Sequence, residues 1–219
     1  MIIAIDTATP AVSVALADST GIVASFALLR GRRHVETLMP VIEQLLDHAE
    51  CSYADITAVA VDRGPGLFTG LRVGVATAKA LALGLGVPVL SATSLAILAH
   101  GFAGHHPDAE LLAVIDARRK ELYVQRFRVV AGVVGEADEP LCVAPGVAAA
   151  LLRDLPDAIV VGDVALGSSA FEGRLTVAGF PIAEQLALMA SGLEETDPDA
   201  LELVYLRAPD AEINWTSRP

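Results

Sequence analysis

The stretch Met1-Ile2-Ile3-Ala4-Ile5-Asp6 returns past the middle of the chain as Leu111-Leu112-Ala113-Val114-Ile115-Asp116, an apolar run again ending in Ile-Asp. The segments after the two runs are alike as well. After residue 6, Val12-Ser13-Val14-Ala15-Leu16 alternates, and Gly21 to Leu28 comes after an Asp-Ser-Thr-Gly turn, which predicts two further strands. Residues 34–49 change to helical period, with Val35, Leu38, Met39, Ile42, Leu45, Leu46 and Ala49 on one face and Pro40 inside the pattern. A strand over 56–61, a helix over 70–85 and a strand over 87–92 complete β-β-β-α-β-α-β. After residue 116 the order recurs in shortened form: strands over 122–129 and 132–136, a helix over 147–153, a strand over 158–162 and a helix over 182–193. Between the copies, Gly101 to Asp108 has loop composition and predicts a boundary. The chain thus divides into residues 1–104 and 105–219, with the last helix and tail packing back on the first unit.

A repeat constrains topology. Two such units side by side predict an α/β fold of the duplicated ribonuclease-H-like kind, shared by actin, Hsp70 and sugar kinases. It has two lobes, each a mixed sheet flanked by helices. A nucleotide in such folds lies between the lobes, faced by strand-end carboxylates, so Asp6, Thr7 and Asp116 are the candidate cofactor-binding residues. Both loops fall short of a working phosphate cradle. Asp6-Thr7-Ala8-Thr9 has alanine where close backbone approach to phosphate calls for glycine, and Asp116-Ala117-Arg118-Arg119 lacks both glycine and hydroxyl.

Composition narrows the function classes. The chain has 219 residues, 53% of them hydrophobic, enough for a substantial core without disulfides. Cys51 and Cys142 show no CxxC spacing, which fits a reducing compartment and a cytoplasmic location. The opening residues lack a basic segment and reach Asp6 too early for a signal peptide. A formal net charge of −12 argues against unaided binding to RNA or DNA, although Arg30-Gly31-Arg32-Arg33-His34 and Arg118-Arg119-Lys120 are locally basic. None of the five histidines forms HExxH or HxxxH, no GxSxG occurs, and no Lys-Ser/Thr pair comes after Gly64-Pro65-Gly66. No catalytic residue and no metal ligand is assigned. Asp62 and Arg63 are expected to orient the glycine turn beside them.

That turn opens the second long helix, GPGLFTGLRVGVATAKALALGLGVPVL over 64–90. Its only charges are Arg72 and Lys79, and the lysine near the middle of residues 73–90 argues against a membrane span. A surface helix buries one stripe about 100° wide. This one is apolar nearly all round, so one lobe is not expected to cover it. Gly70, Gly74, Ala78 and Ala82, four apart, lack bulk on one side and would admit a partner helix. The expected partner interface is Gly70, Arg72, Gly74, Ala78, Lys79 and Ala82, helped by Leu38, Val41 and Leu45 of the preceding helix.

Five segments together, IAIDTATPAVSVAL (3–16), HVETLMPVIEQLL (34–46), DRGPGLFTGLRVGVATAKALALGLGVPVLSATSL (62–95), VIDARRKELYVQRF (114–127) and VYLR (204–207), resemble the TsaB family in order and spacing. Those proteins serve bacterial synthesis of threonylcarbamoyladenosine in tRNA. The resemblance implies a non-catalytic subunit that pairs with a longer paralogue, TsaD, whose HxxxH motif holds the catalytic metal; this chain has no such motif. It further implies a TsaE-like ATPase as third component, a homodimer when alone, contact with tRNA only through the complex, and no membrane. The modified base is the adenosine beside the anticodon in tRNAs reading codons that begin with A. No cofactor of its own is implied, ATP or ADP entering only at the assembled complex. The competing reading is a nucleotide-dependent phosphotransferase or hydrolase working through Asp6, Thr7 and Asp116.

Overall fold

A computed structural model describes residues 1–29, 34–136, 138–167 and 169–207. The basic stretch Arg30 to Arg33 therefore lies outside the described residues. Two mixed sheets carry the fold. The first contains β1 (Ile2–Asp6), β2 (Val12–Asp18), β3 (Gly21–Leu28), β4 (Ala58–Asp62) and β5 (Val89–Ala92); the second contains β6 (Ala109–Arg118), β7 (Glu121–Val130), β8 (Val133–Glu136), β9 (Leu141–Val143), β10 (Ile159–Gly162) and β11 (Thr176–Ala178). Spatial order is β5-β4-β1-β2-β3 in one and β11-β10-β6-β7-β8 in the other, with β9 pairing β7. The copies share one strand order, β3-β2-β1-β4-β5 corresponding to β8-β7-β6-β10-β11, with β9 an addition in the second. β1 and β6 each pair antiparallel with the next strand and parallel with a strand reached through a helical crossover. Central strands buried on both faces are continuously apolar, as Ile3-Ala4-Ile5 and Leu112-Ala113-Val114 are.

The helices are α1 (His34–His48), α2 (Phe68–Leu85), α3 (Ser94–Ala103), α4 (Pro145–Ala150) and α5 (Ala183–Met189). α1 runs through Pro40, which supplies no N–H to the Glu36 carbonyl one turn earlier; both residues are exposed. Together, α1 and α2 cover one face of the first sheet through Leu38, Val41, Ile42, Leu46, Val75, Ala78 and Ala82. Where α2 ends, Gly86 is left-handed (φ 67°) and its N–H donates to the Ala82 carbonyl.

The sequence pattern assigns no element to 94–100 and a loop to 101–108. The structure puts α3 there, opened by Thr93, whose Oγ1 accepts from the Ala96 N–H at 3.2 Å. α3 comes after the first sheet in the chain but packs on the second, with Leu95, Leu98, Ala99 and Ala103 against Leu111, Ala113, Phe127 and Val161. α5 does the reverse: Ala183, Leu186 and Ala187 lie against Ala4, Ala15 and Ala60 of the first sheet. Its first N–H donates to Ser13 Oγ at 2.9 Å. A short strand, β12 (Glu195–Thr196), then adds to β5 at the edge of the first sheet. Beyond it, Leu201 and Leu203 pack into the first core beside α2.

Candidate functional site

Two regions decide what this fold can do: the strand ends between the sheets, and the outer face of α2. At the first, β1 ends in Asp6, whose Oδ1 accepts from the Ala8 N–H at 2.9 Å. The neighbouring parallel strand β4 ends in Asp62, whose Oδ1 accepts from the Gly64 N–H and from Ser94 Oγ, both at 2.7 Å. Ile5 faces Val61 in the ladder, so Asp6 and Asp62 are cross-strand neighbours. Both are buried, and each leaves its Oδ2 without a donor. Burial, then the repulsion of Asp62, holds the Asp6 carboxyl well above the usual carboxylate range; burial also raises Asp62. Thr7 comes next, its hydroxyl donating to the Gly70 carbonyl in the first turn of α2 at 2.8 Å. The buried His34 at the head of α1 places Nε2 on the Thr9 carbonyl at 3.0 Å, so that nitrogen carries the hydrogen.

This corrects the expected cofactor site. Asp6 and Thr7 do not face the space between the sheets; they fasten the β1 end to the turn and to α2. Asp116 alone of the three lines that space, together with Ala8, Thr9, Pro10, Leu67, Arg118, Asp163 and Phe180. Even Asp116 is engaged: its two oxygens accept from the Arg118 N–H at 2.7 Å and from Arg118 Nη1 at 2.8 Å. Asp163 accepts from the Asp116 N–H at 3.1 Å, and burial raises its pKa. The cleft holds about 110 Å³. Pockets that bury a nucleotide-sized ligand run to roughly 300–1,000 Å³, so this cleft, as the described residues line it, is smaller than such a pocket. Among the described residues, no three His, Cys, Asp or Glu side chains meet as metal ligands would.

At the second region the small-residue stripe of α2 turns inward. Gly70, Gly74, Ala78 and Ala82 are buried, as are Leu38 and Val41 of α1. A Cβ on Gly70 would overlap the Thr7 carbonyl, and one on Gly74 the Thr7 hydroxyl. These six residues therefore belong to the contact between α2, α1 and the sheet, not to a partner surface. The close approach expected at the glycines is real, but the end of β1 makes it. Of the expected interface, Arg72 stays exposed and Leu45 and Lys79 half-buried. The outer face of α2 is instead Arg72, Ala76, Ala80 and Leu83, flanked by half-buried Val73 and Thr77, with Leu83 56% exposed. Val35 and Met39 of α1 are exposed too. One flank of α2 meets the C-terminal segment: Lys79 Nζ donates to the Asp199 carbonyl at 3.4 Å, and Arg72 lies 3.8 Å over the Phe68 ring, which itself contacts Tyr205. By length and composition α2 could cross a membrane, yet here its inner face lies on β4 and β1.

Sequence reasoning misses Ser94 and the α3 that carries it. A threonine ahead of an unbroken apolar run is the available signal.

With strand order, crossovers and inter-sheet cleft in place, the class of protein is defined: a duplicated ribonuclease-H-like fold of the actin and sugar-kinase kind. A family model described as "TsaD: tRNA N6-adenosine threonylcarbamoyltransferase" matches residues 17–194. The tRNA threonylcarbamoyladenosine biosynthesis protein TsaB of Bacillus subtilis is 29% identical over 98% of this chain and 97% of its own length. Its Escherichia coli counterpart is 41% identical over 58% of this chain and 54% of its own. The solved structure of YeaZ from Pseudomonas aeruginosa superposes with a TM-score of 0.81 at 28% identity, covering 94% of this chain and 99% of that one. The chain belongs to the TsaB family.

Proposed function

We propose that this chain is a non-catalytic subunit in tRNA threonylcarbamoyladenosine synthesis, which binds and activates a TsaD-like, metal-bearing transferase. In this reading the transferase modifies the adenosine beside the anticodon in tRNAs reading codons that begin with A, and a TsaE-like ATPase completes the assembly in the cytosol. tRNA and nucleotide are handled by the complex, not by the isolated chain. The observation that carries the reading is the outer face of α2. Ala76, Ala80 and Leu83 are exposed with Val73 and Thr77 beside them, and the described parts of the chain leave them uncovered. Contiguous apolar surface of this kind marks interaction sites. Small side chains there let a second helix pack at the short end of the usual 8–10 Å range. A second copy would use the same face when the partner is absent, so homodimer and heterodimer compete.

The phosphotransferase reading needs a nucleotide at Asp6, Thr7 and Asp116. The buried positions of the first two and the small cleft count against it. The deciding experiment is reconstitution: tRNA, threonylcarbamoyl adenylate and a TsaD-like subunit, with and without this chain. Modification that depends on the chain supports the proposal, whereas equal modification without it refutes the activator role. Titrating the isolated chain with ATP and magnesium should give no saturable binding.

A further inference from the structure

We infer that Asp6 and Asp62 share one proton across the ends of β1 and β4, and that this proton latches the root of α2. The two residues are neighbours on paired strands, each spends Oδ1 on the turn next to it, and each leaves a buried Oδ2 with nothing donating to it. Ionised carboxylates only accept hydrogen bonds. Two of them side by side in the core would be mutually repelling and unsatisfied. One proton between them turns one oxygen into a donor and satisfies both. The raised pKa of each carboxyl agrees with a retained proton.

The latch joins several elements. On the Asp6 side, the Ala8 carbonyl accepts from the Leu67 N–H at 2.6 Å and Thr7 holds Gly70, so the start of α2 is fastened to β1. On the Asp62 side, Gly64 and Ser94 fasten the glycine turn and the head of α3. The charged groups around the pair are Arg63 next to Asp62 in the same turn and, across the cleft, Asp116, Arg118 and Asp163. α1 contributes the titratable His34, α3 a hydroxyl, and α2 presents glycine and backbone, its Arg72 being turned to solvent. Arg63 favours ionisation of Asp62, but burial outweighs it. Burial raises Asp163 as well, so its titration must be separated from that of the pair.

A native state that keeps a proton released by the unfolded chain above about pH 4 is most favoured below that pH. It loses stability as the pH rises, until the pair lets its proton go. Each proton so retained lowers the folding constant about tenfold per pH unit within that window.

The test is urea unfolding of the full chain between about pH 5 and 7, for wild type, Asp6→Asn, Asp62→Asn, Asp163→Asn and the double variant Asp6→Asn/Asp62→Asn. Either single variant of the pair supplies a permanent amide hydrogen to the remaining carboxylate, so each should lose about one tenfold step per pH unit relative to wild type. Asp163→Asn should keep that step. The double variant sets two amide groups against each other and should be less stable than either single one. If both pair variants retain the wild-type slope, or the double variant is the most stable of the set, the shared proton is refuted. Should one variant not fold, carboxyl carbon NMR of the wild type decides: a carboxyl titrating above the usual range supports the latch, and both titrating near pH 4 overturns it.

Discussion

Gly70 and Gly74 owe their identity to Thr7. The threonine hydroxyl reaches the Gly70 carbonyl, and the helix comes close enough to the strand end that neither glycine has room for a Cβ. Gly74→Ala should therefore destabilise the monomer by about 1–3 kcal/mol through overpacking, measured by thermal melts. Gly84, in the last turn of the same helix, has open space around it, so Gly84→Ala should instead stabilise by about 0.5–1 kcal/mol. Thr7→Val keeps the shape and removes one buried hydrogen bond, a loss of about 1 kcal/mol, the Gly70 carbonyl keeping its place in the helical ladder. The four-residue spacing of the small residues is legible as a place of close approach. The group that approaches is not, because Thr7 lies 63 residues away in the chain and only the closed sheet brings it there. Asp6 is likewise legible as a strand-end carboxylate. Its partner Asp62 reads in the sequence only as orienting a turn, since their adjacency depends on the parallel register of β1 and β4.

For α2 as a whole, the apolar excess read from the sequence is present, and its uncovered part lies at Ala76, Ala80 and Leu83 rather than at the glycine stripe. Hydrophobicity all round tells how much surface must be covered, whereas the direction of each face depends on where the sheet lies. Ala76→Arg or Ala80→Arg, on the outer face, should leave the melting behaviour within about 0.5 kcal/mol of wild type while weakening association. Arg72→Glu should also lose the contact with Phe68, about 0.5–1 kcal/mol, so its effect is split between folding and binding. Melts beside sedimentation velocity separate the two. α3 escapes the pattern reading because it is buried on most sides and so lacks a polar stripe: Ser94, Leu95, Ile97, Leu98, Ala99 and Ala103 all point inward. β12, two residues long, carries no periodic signal at all.

Across the whole molecule, the duplicated order is legible from the paired Ile-Asp strands, and the interlocking of the copies is not. α3 lies on the second sheet and α5 on the first, so residues 1–104 expressed alone would expose Leu95, Leu98 and Ala103 and leave Ala4, Ala15 and Ala60 uncovered. That fragment should fail to give a cooperative melt. The same interlock brings the strand ends together around a cleft of about 110 Å³, and the outer face of α2 is the surface we propose for association. The most direct test of that claim is an affinity measurement between this chain and a TsaD-like subunit for wild type, Ala80→Arg and, as a control on the exposed strand β8, Val133→Arg. Wild type and Val133→Arg should bind equally, and Ala80→Arg at least about tenfold more weakly with an unchanged melt, a loss of about 1.4 kcal/mol or more. Equal binding by all three would contradict the assignment of α2 as the association surface.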